Sequence, residues 1–319
     1  MKVELQLTIG GSTHKITPAS FWLAQNRTTP CDVLRAEWAA TSCLEQGDFC
    51  RLTVDGEEVF YGIVDSQSYT LSAKGSRIQL NARRKLAAYL VDNEAAPKTY
   101  LNLPFSQLVA RHGTSYGVKG AVGAPDKKMP IYTVPKGRSE WEAISVFCQQ
   151  LYGRSPYLDG QDRIVADARL SGRAHVLSNK LNPNPGPSQS PSALPTPYSE
   201  LEVIHRPEAV ISSVYLLGED GAVQRVENEK AGAAVRRRYI SPSTQWALFP
   251  KWGAREVIAS GMEKRLEIRI VLPGYFRCSL GDRVTLPDLP SLSGAALIIH
   301  EIEWAVHNGV MTRLILKKE

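Results

Sequence analysis

The sequence predicts a mainly β protein with α+β content: two small antiparallel β-barrels with an intervening α+β segment. Three observations carry this. Short runs of period-two apolar alternation, separated by Gly-containing turns, fill both ends of the 319-residue chain. The strongest helical spacing falls between them. A Gly-Asp-x-x-x-Leu string is written twice, at Gly47, Asp48 and Leu52 and again at Gly281, Asp282 and Leu286, each time ahead of a similar series of strands.

Val3, Leu5, Leu7 and Ile9 alternate with polar residues, so the first strand has one wet face, and Gly10-Gly11 turns it into "STHKIT". The stretch containing Phe21 and Trp22 reads as irregular. Leu34, Ala36 and Trp38 form a half-buried strand. Cys50, Leu52 and Val54 point one way, Asp55-Gly56 supplies the turn, and Val59, Tyr61 and Ile63 mark the return strand. "RIQLNA" adds Ile78, Leu80 and Ala82. From Arg83 the pattern changes. "RRKLAAYL" and "LPFSQLVARHG" read as short helices, the second stopped at Gly113, and a capped helix spans Ser139 to Leu151. Its Trp141, Ile144, Phe147, Cys148 and Leu151 share one face. "YLDGQDRIVA" reads as strand, turn and strand.

Six prolines between Asn182 and Tyr198 exclude a core strand or helix there, leaving a surface loop or tether. Val210 to Leu217 then reads as a strand covered on both faces, and Gly253 to Lys264 as a helix with Val257, Ile258 and Met262 inward. Strands follow at Leu266, Ile268 and Ile270, at Val284 and Leu286, and at Ile302, Trp304 and Val306. Asn308-Gly309 turns the last of these into Thr312, Leu314 and Leu316. The expected divisions are 1–88 for the first barrel, 89–168 for the α+β domain, and 169–319 for the second barrel with its inserted helix and its Pro-rich loop, 182–198.

Composition narrows the function. Hydrophobic residues at 43% and charged residues at 22% fit a globular chain rather than a disordered or membrane protein. No apolar run approaches a bilayer span and the first residues alternate, so neither membrane insertion nor a signal peptide is expected. Five cysteines without a C-x-x-C pair argue against a zinc site or a disulfide framework. The net charge of +6 falls short of a nucleic-acid footprint.

The two ends agree in more than one string. "GDFCRLTVDG" leads into "VFYGIV" and then "RIQLNA", while "GDRVTLPDLP" leads into "ALIIHEIEW" and then "TRLILKK". Shared order makes one barrel written twice the simplest account. Together with "ARRKLAAYL", "GRSEWEAI" and the terminal "IHEIEWAVHNGVMTRLILKK", this pattern resembles the baseplate hub proteins of contractile phage tails and phage-tail-like particles, the late control gene D group. The Pro-rich insertion departs from that pattern.

The resemblance implies a structural subunit with two tube-like barrels, three of which close a ring. Such a homotrimer matches a six-fold tail tube on one side and a three-fold central spike on the other. It implies further baseplate partners, a channel that DNA can traverse without specific binding, synthesis in the host bacterial cytoplasm and residence in a virion or contractile injection system. The repeat motif then serves symmetry, because one chain must supply two of six equivalent positions.

Enzyme constellations are sparse. Gly113-Thr114-Ser115-Tyr116-Gly117 fits the G-x-S-x-G string, but a helix precedes it where a nucleophile elbow needs a strand, so a turn after a helix end is the better reading. His14, His112, His175, His205, His300 and His307 do not recur at metal-ligand spacing, and His300 reads as a core residue beside Ile302 and Trp304. No catalytic, cofactor-binding or metal site is assigned, and no cofactor is expected. Arg83-Arg84-Lys85, Arg236-Arg237-Arg238 and Lys317-Lys318 are candidate surfaces for acidic partners, a solvated edge being the plainer reading of the second. A β-barrel that binds nucleic acid or carbohydrate, and less strongly a cell-wall hydrolase, are the alternative functions.

Overall fold

The computed structural model describes residues 1–28, 30–73, 75–166, 173–179, 195–218, 221–233, 235–241, 250–292, 295–307 and 309–318. Asn308 of the last hairpin and most of the Pro-rich loop, 182–194, lie outside them.

The first part of the chain forms β1 (Val3–Ile9), β2 (Ser12–Ile16), β3 (Ser20–Asn26), β4 (Val33–Ala39), β5 (Phe49–Val54), β6 (Glu57–Ser72) and β7 (Gly75–Arg84). Alternation decides the inward face: Leu5 and Leu7, Cys50, Leu52 and Val54, and Ile78, Leu80 and Ala82 are all buried. Two expectations are corrected. The stretch holding Phe21 and Trp22 is a regular strand, β3, whose Phe21 and Leu23 are buried. On β6 the core residues are Phe60 and Val64, while Val59, Tyr61 and Ile63 are only half-buried, because the register shifts between Leu52 and Thr53 across the β5–β6 pair.

The middle part forms α1 (Lys85–Asp92), β8 (Lys98–Pro104), α2 (Phe105–His112), β9 (Ala121–Val122), β10 (Lys128–Val134), α3 (Glu140–Tyr152), β11 (Tyr157–Leu158) and β12 (Ile164–Val165). Ser139 and Glu142 cap α3 reciprocally, and Gly153 ends it with φ +70°. Strands β8 and β10 pair with each other, and β9, β11 and β12 form a small three-stranded sheet. A separate core gathers here around Phe105, Leu108, Met129, Ile144, Phe147 and Cys148.

The last part forms β13 (Ala174–Val176), β14 (Glu200–His205), β15 (Ser213–Leu217), β16 (Val223–Glu227), β17 (Arg237–Ile240), α4 (Pro250–Lys264), β18 (Leu266–Pro273), β19 (Arg283–Thr285), β20 (Leu297–Val306) and β21 (Val310–Lys318). Strands β15, β16 and β17 make a three-stranded sheet against α4, around Ile211, Val214, Leu216 and Ala254.

The remaining strands join the first seven in one large sheet, in the order β14-β18-β21-β20-β3-β4-β7-β6-β5-β1-β2, with β19 beside β20 and β13 beside β19. The two ends of the chain meet where Glu301–Val306 of β20 run antiparallel to Phe21–Asn26 of β3. Their apolar faces share one core, from Leu5 and Leu52 on one side to Ile268, Ile302 and Leu316 on the other. Among the described residues no ladder closes either strand set into a complete barrel. One isolated bridge, Leu177 to Thr196, links the end of β13 to the approach to β14.

Candidate functional site

The six motif residues do not converge on a pocket. They lie at matching points of two strand sets with similar neighbour orders. In the first strand set, neighbours run β1-β5-β6-β7-β4-β3; in the second they run β13-β19-β20-β21-β18-β14. Read in chain order these are the same positions, but the outermost pair differs in direction, β1–β5 being antiparallel and β13–β19 parallel; β2 is an addition to the first set, and β15, β16, β17 and α4 are inserted into the second.

The register agrees residue by residue. Phe49 faces Ile63 and Cys50 faces Gly62, as Arg283 faces Ile298 and Val284 faces Leu297. Ile63 faces Arg83 and Tyr69 faces Ile78, as Ile298 faces Lys317 and Trp304 faces Thr312. Each return strand carries a bulge at the same point, between Val64 and Ser66 and between Ile299 and Glu301. Leu34 pairs with Ala82 as Ile268 pairs with Leu316. The agreement in register extends over four strands of each set.

Within this frame both motif aspartates hold strand entry. The Asp48 carbonyl accepts the Val64 N–H at 3.1 Å, and the Asp282 carbonyl accepts the Ile299 N–H at 2.8 Å. Their side chains differ. Asp48 is exposed and accepts one backbone N–H, from Gly10 at 3.0 Å. Asp282 is buried and accepts from the N–H groups of Arg173 and Ser279 and from His175 Nε2, all at 2.9 Å. The glycines also differ in cause. A Cβ on Gly47 would lie 2.3 Å from the buried Leu7 Cδ1, whereas Gly281 adopts φ +85°. Leu52 and Leu286 both enter the shared core.

The bulge positions carry different chemistry in the two sets. In the first, Asp65 takes a two-pronged ion pair from Arg83, at 2.8 and 2.9 Å. The matching positions in the second are His300 and Lys317, whose Nε2 and Nζ stand 3.4 Å apart. Burial lowers the pKa of both groups.

The basic clusters are partly corrected as partner surfaces. Arg83 also grips Asp92 at 2.9 Å, and Arg84 reaches Asp162 at 2.6 Å, the Asp159 carbonyl at 2.8 Å and Asp32 at 3.5 Å. They tie the first strand set to the middle segment. Asp32 is buried, and desolvation raises its pKa against the pull of Arg84. Arg237 and Arg238 are exposed on β17, next to a stacked Tyr215–Tyr239 pair with centroids 5.1 Å apart.

Ser115 lies in a single 3-10 turn, Thr114–Tyr116, that follows α2. This is a helix end and not a strand-to-helix elbow. Sequence reading missed the polar cluster beside it: buried His112 bridges Glu140 Oε2 at 2.5 Å and the Tyr100 hydroxyl at 3.2 Å, bracing α2 and β8 against α3. Only the fold brings those residues together. Among the described residues, no group of three or more His, Cys, Asp or Glu side chains is placed to hold a metal ion.

The fold is that of phage tail proteins. It matches the tail protein from Neisseria meningitidis with a TM-score of 0.74 and 17% identity, covering 100% of this chain and 97% of that one. It matches the 43 kDa tail protein of prophage MuSo2 from Shewanella oneidensis with a TM-score of 0.74 and 14% identity, over 98% of both chains. A type VI secretion system component of Escherichia coli, described as similar to the bacteriophage T4 tail proteins gp27 and gp5, matches with a TM-score of 0.54 and 9% identity, covering 100% of this chain and 77% of that one. No family model and no curated protein sequence matches the chain.

Proposed function

We propose that the chain is a structural, non-enzymatic baseplate subunit of a phage tail or related contractile injection particle. In this reading it is the hub. Residues 1–88 and 169–319 act as two tube-like barrels, and residues 89–168 brace neighbouring subunits or the spike. Three copies form a ring with six barrel positions, which meets a six-fold tail tube above and a three-fold spike below.

The observation that carries the reading is the shared strand path and register of the two sets, in which Asp282 repeats the place of Asp48. A chain that supplies one unit twice converts three-fold into pseudo-six-fold symmetry without a second gene product. Likeness to tail proteins over the whole length supports it. The test is the native mass of the purified protein by sedimentation across concentrations. The hub reading expects a species of three times the 35.2 kDa chain mass. A dimer as the largest species, even on co-expression with tube and spike proteins, contradicts it.

A further inference from the structure

The strand repeat leaves one joint made and its counterpart open. Within the chain, Glu301–Val306 of β20 pair with β3. The equivalent of that stretch in the first set is Ser66–Leu71 of β6, since the bulges and the β7 and β21 pairings superpose on them. The equivalent of β3 in the second set is β14, because Leu23 pairs with Leu34 as Val203 pairs with Ile268. Among the described residues, no strand pairs with β6 along 66–71 on the edge away from β7, and β14 pairs only with β18.

We infer that Ser66–Leu71 of one copy pairs antiparallel with Leu201–Arg206 of a second copy of this chain, repeating between subunits the β20–β3 joint. This rests on the ring reading above and names the surface that makes the ring. Within the single chain the two edges are not joined: β14 and β6 stand seven steps apart in the strand order, and among the described residues no ladder links them. A head-to-tail joint of this kind closes a ring or runs on as a filament.

Transferring the register fixes the partners. Trp304 opposite Leu23 becomes Tyr69 opposite Val203, and Val306 opposite Phe21 becomes Leu71 opposite Leu201. Leu71 is 73% exposed in the single chain, and Tyr69, Leu201 and Val203 are half-buried at the rim of the shared core. The joint would cover that apolar rim as Trp304 and Leu23 cover theirs. On the outer face, Thr70 meets Glu202 and Ser68 meets Ile204, so no like charges face each other. Exposed edges are usually blunted by lysine, proline or inward charge. The stretch Ser66–Leu71 carries none of these. The loop before β5 rests on this stretch through Gln67, whose amide donates to the Leu44 and Glu45 carbonyls. The loop before β19 likewise touches Trp304, whose Nε1 donates to Phe276, and there the edge is still free to pair with β3.

The experiment is disulfide trapping in a Cys43→Ser background, which removes the exposed native thiol. Thr70→Cys with Glu202→Cys places the thiols directly opposite in the transferred register, with Cβ atoms about 5 Å apart. Thr70→Cys with Glu200→Cys is two residues out of register, at about 7–8 Å, beyond the usual disulfide span. The expected result is a reducible three-chain species from the first pair, with about tenfold less from the second, in keeping with the required Cβ spacing. Slower amide exchange at 66–71 and 201–206 in the assembled unmodified protein is the second expected readout.

A native trimer that gives no in-register disulfide and no added protection overturns this joint and leaves the hub reading standing. An in-register ladder running past three chains supports the joint and contradicts the three-subunit ring. A protein that stays monomeric and untrapped at the highest concentration overturns the joint.

Discussion

Replacing Asp282 by asparagine exchanges one acceptor oxygen for an NH2 group, yet the structure expects a large effect. The two carboxylate oxygens take three donors: Arg173 N–H on one, Ser279 N–H and His175 Nε2–H on the other. An amide offers one oxygen, so in its best orientation its NH2 faces a donor and one bond is lost. The other two lose their charge assistance. A hydrogen bond to a charged group contributes about 1.5–3 kcal/mol, so the total comes to about 3–4 kcal/mol for this buried site. Asp48→Asn, in the same motif, keeps its single bond from Gly10 at an exposed position and is expected to cost under about 1 kcal/mol. At about 2 °C per kcal/mol for a chain of this size, thermal unfolding should drop by roughly 6–8 °C for Asp282→Asn and by no more than about 2 °C for Asp48→Asn. Equal drops in the two variants would refute the claim that Asp282 holds three donors while Asp48 holds one.

Leu52→Asp and Leu286→Asp each place an unpaired carboxylate in the shared core, so both should abolish soluble expression; a soluble, ring-competent variant would count against the repeat assignment. Arg84→Met leaves the buried Asp32 carboxylate without its cation, held by the Gln25 amide, and releases Asp162, with an expected loss of about 3 kcal/mol read by urea denaturation. Glu256 is held at about 7 by burial and by the nearby Glu263. Its folded value lies above its unfolded one, so its ionisation penalises the fold as pH rises from about 4.5 through 7. Glu256→Gln should therefore raise the unfolding temperature relative to the parent at pH 8 and change it little at pH 5.

Much of the architecture was legible because alternation and turn residues act locally. Leu5, Leu52, Ile78 and Leu314 all point inward as their spacing requires, and the Ser139 capping box starts α3 where its sequence says. What escaped depended on the fold at a distance. Strand β3 hides because "SFWLAQN" is apolar on both faces: Phe21 and Leu23 enter the core while Trp22 stacks under Arg35 at 5.0 Å. Strand β8 breaks its own alternation at Asn102, which adopts φ +49°, and β10 carries Pro130, a residue that argues against a strand until an edge position makes it harmless. Arg83 and Arg84 look like surface charge in sequence, and only Asp65, Asp92 and Asp162, brought from other elements, show them to be internal ties. The recurrence of the Gly-Asp string was plain in the sequence; that Asp282 is buried under three donors while Asp48 is exposed was not.

The most direct test of the account is negative-stain imaging of the largest species of the purified protein, averaged without imposed symmetry. A ring with an open centre and six lobes related by a three-fold axis is expected. Averages with two-fold symmetry, or compact particles without a central opening, would contradict it.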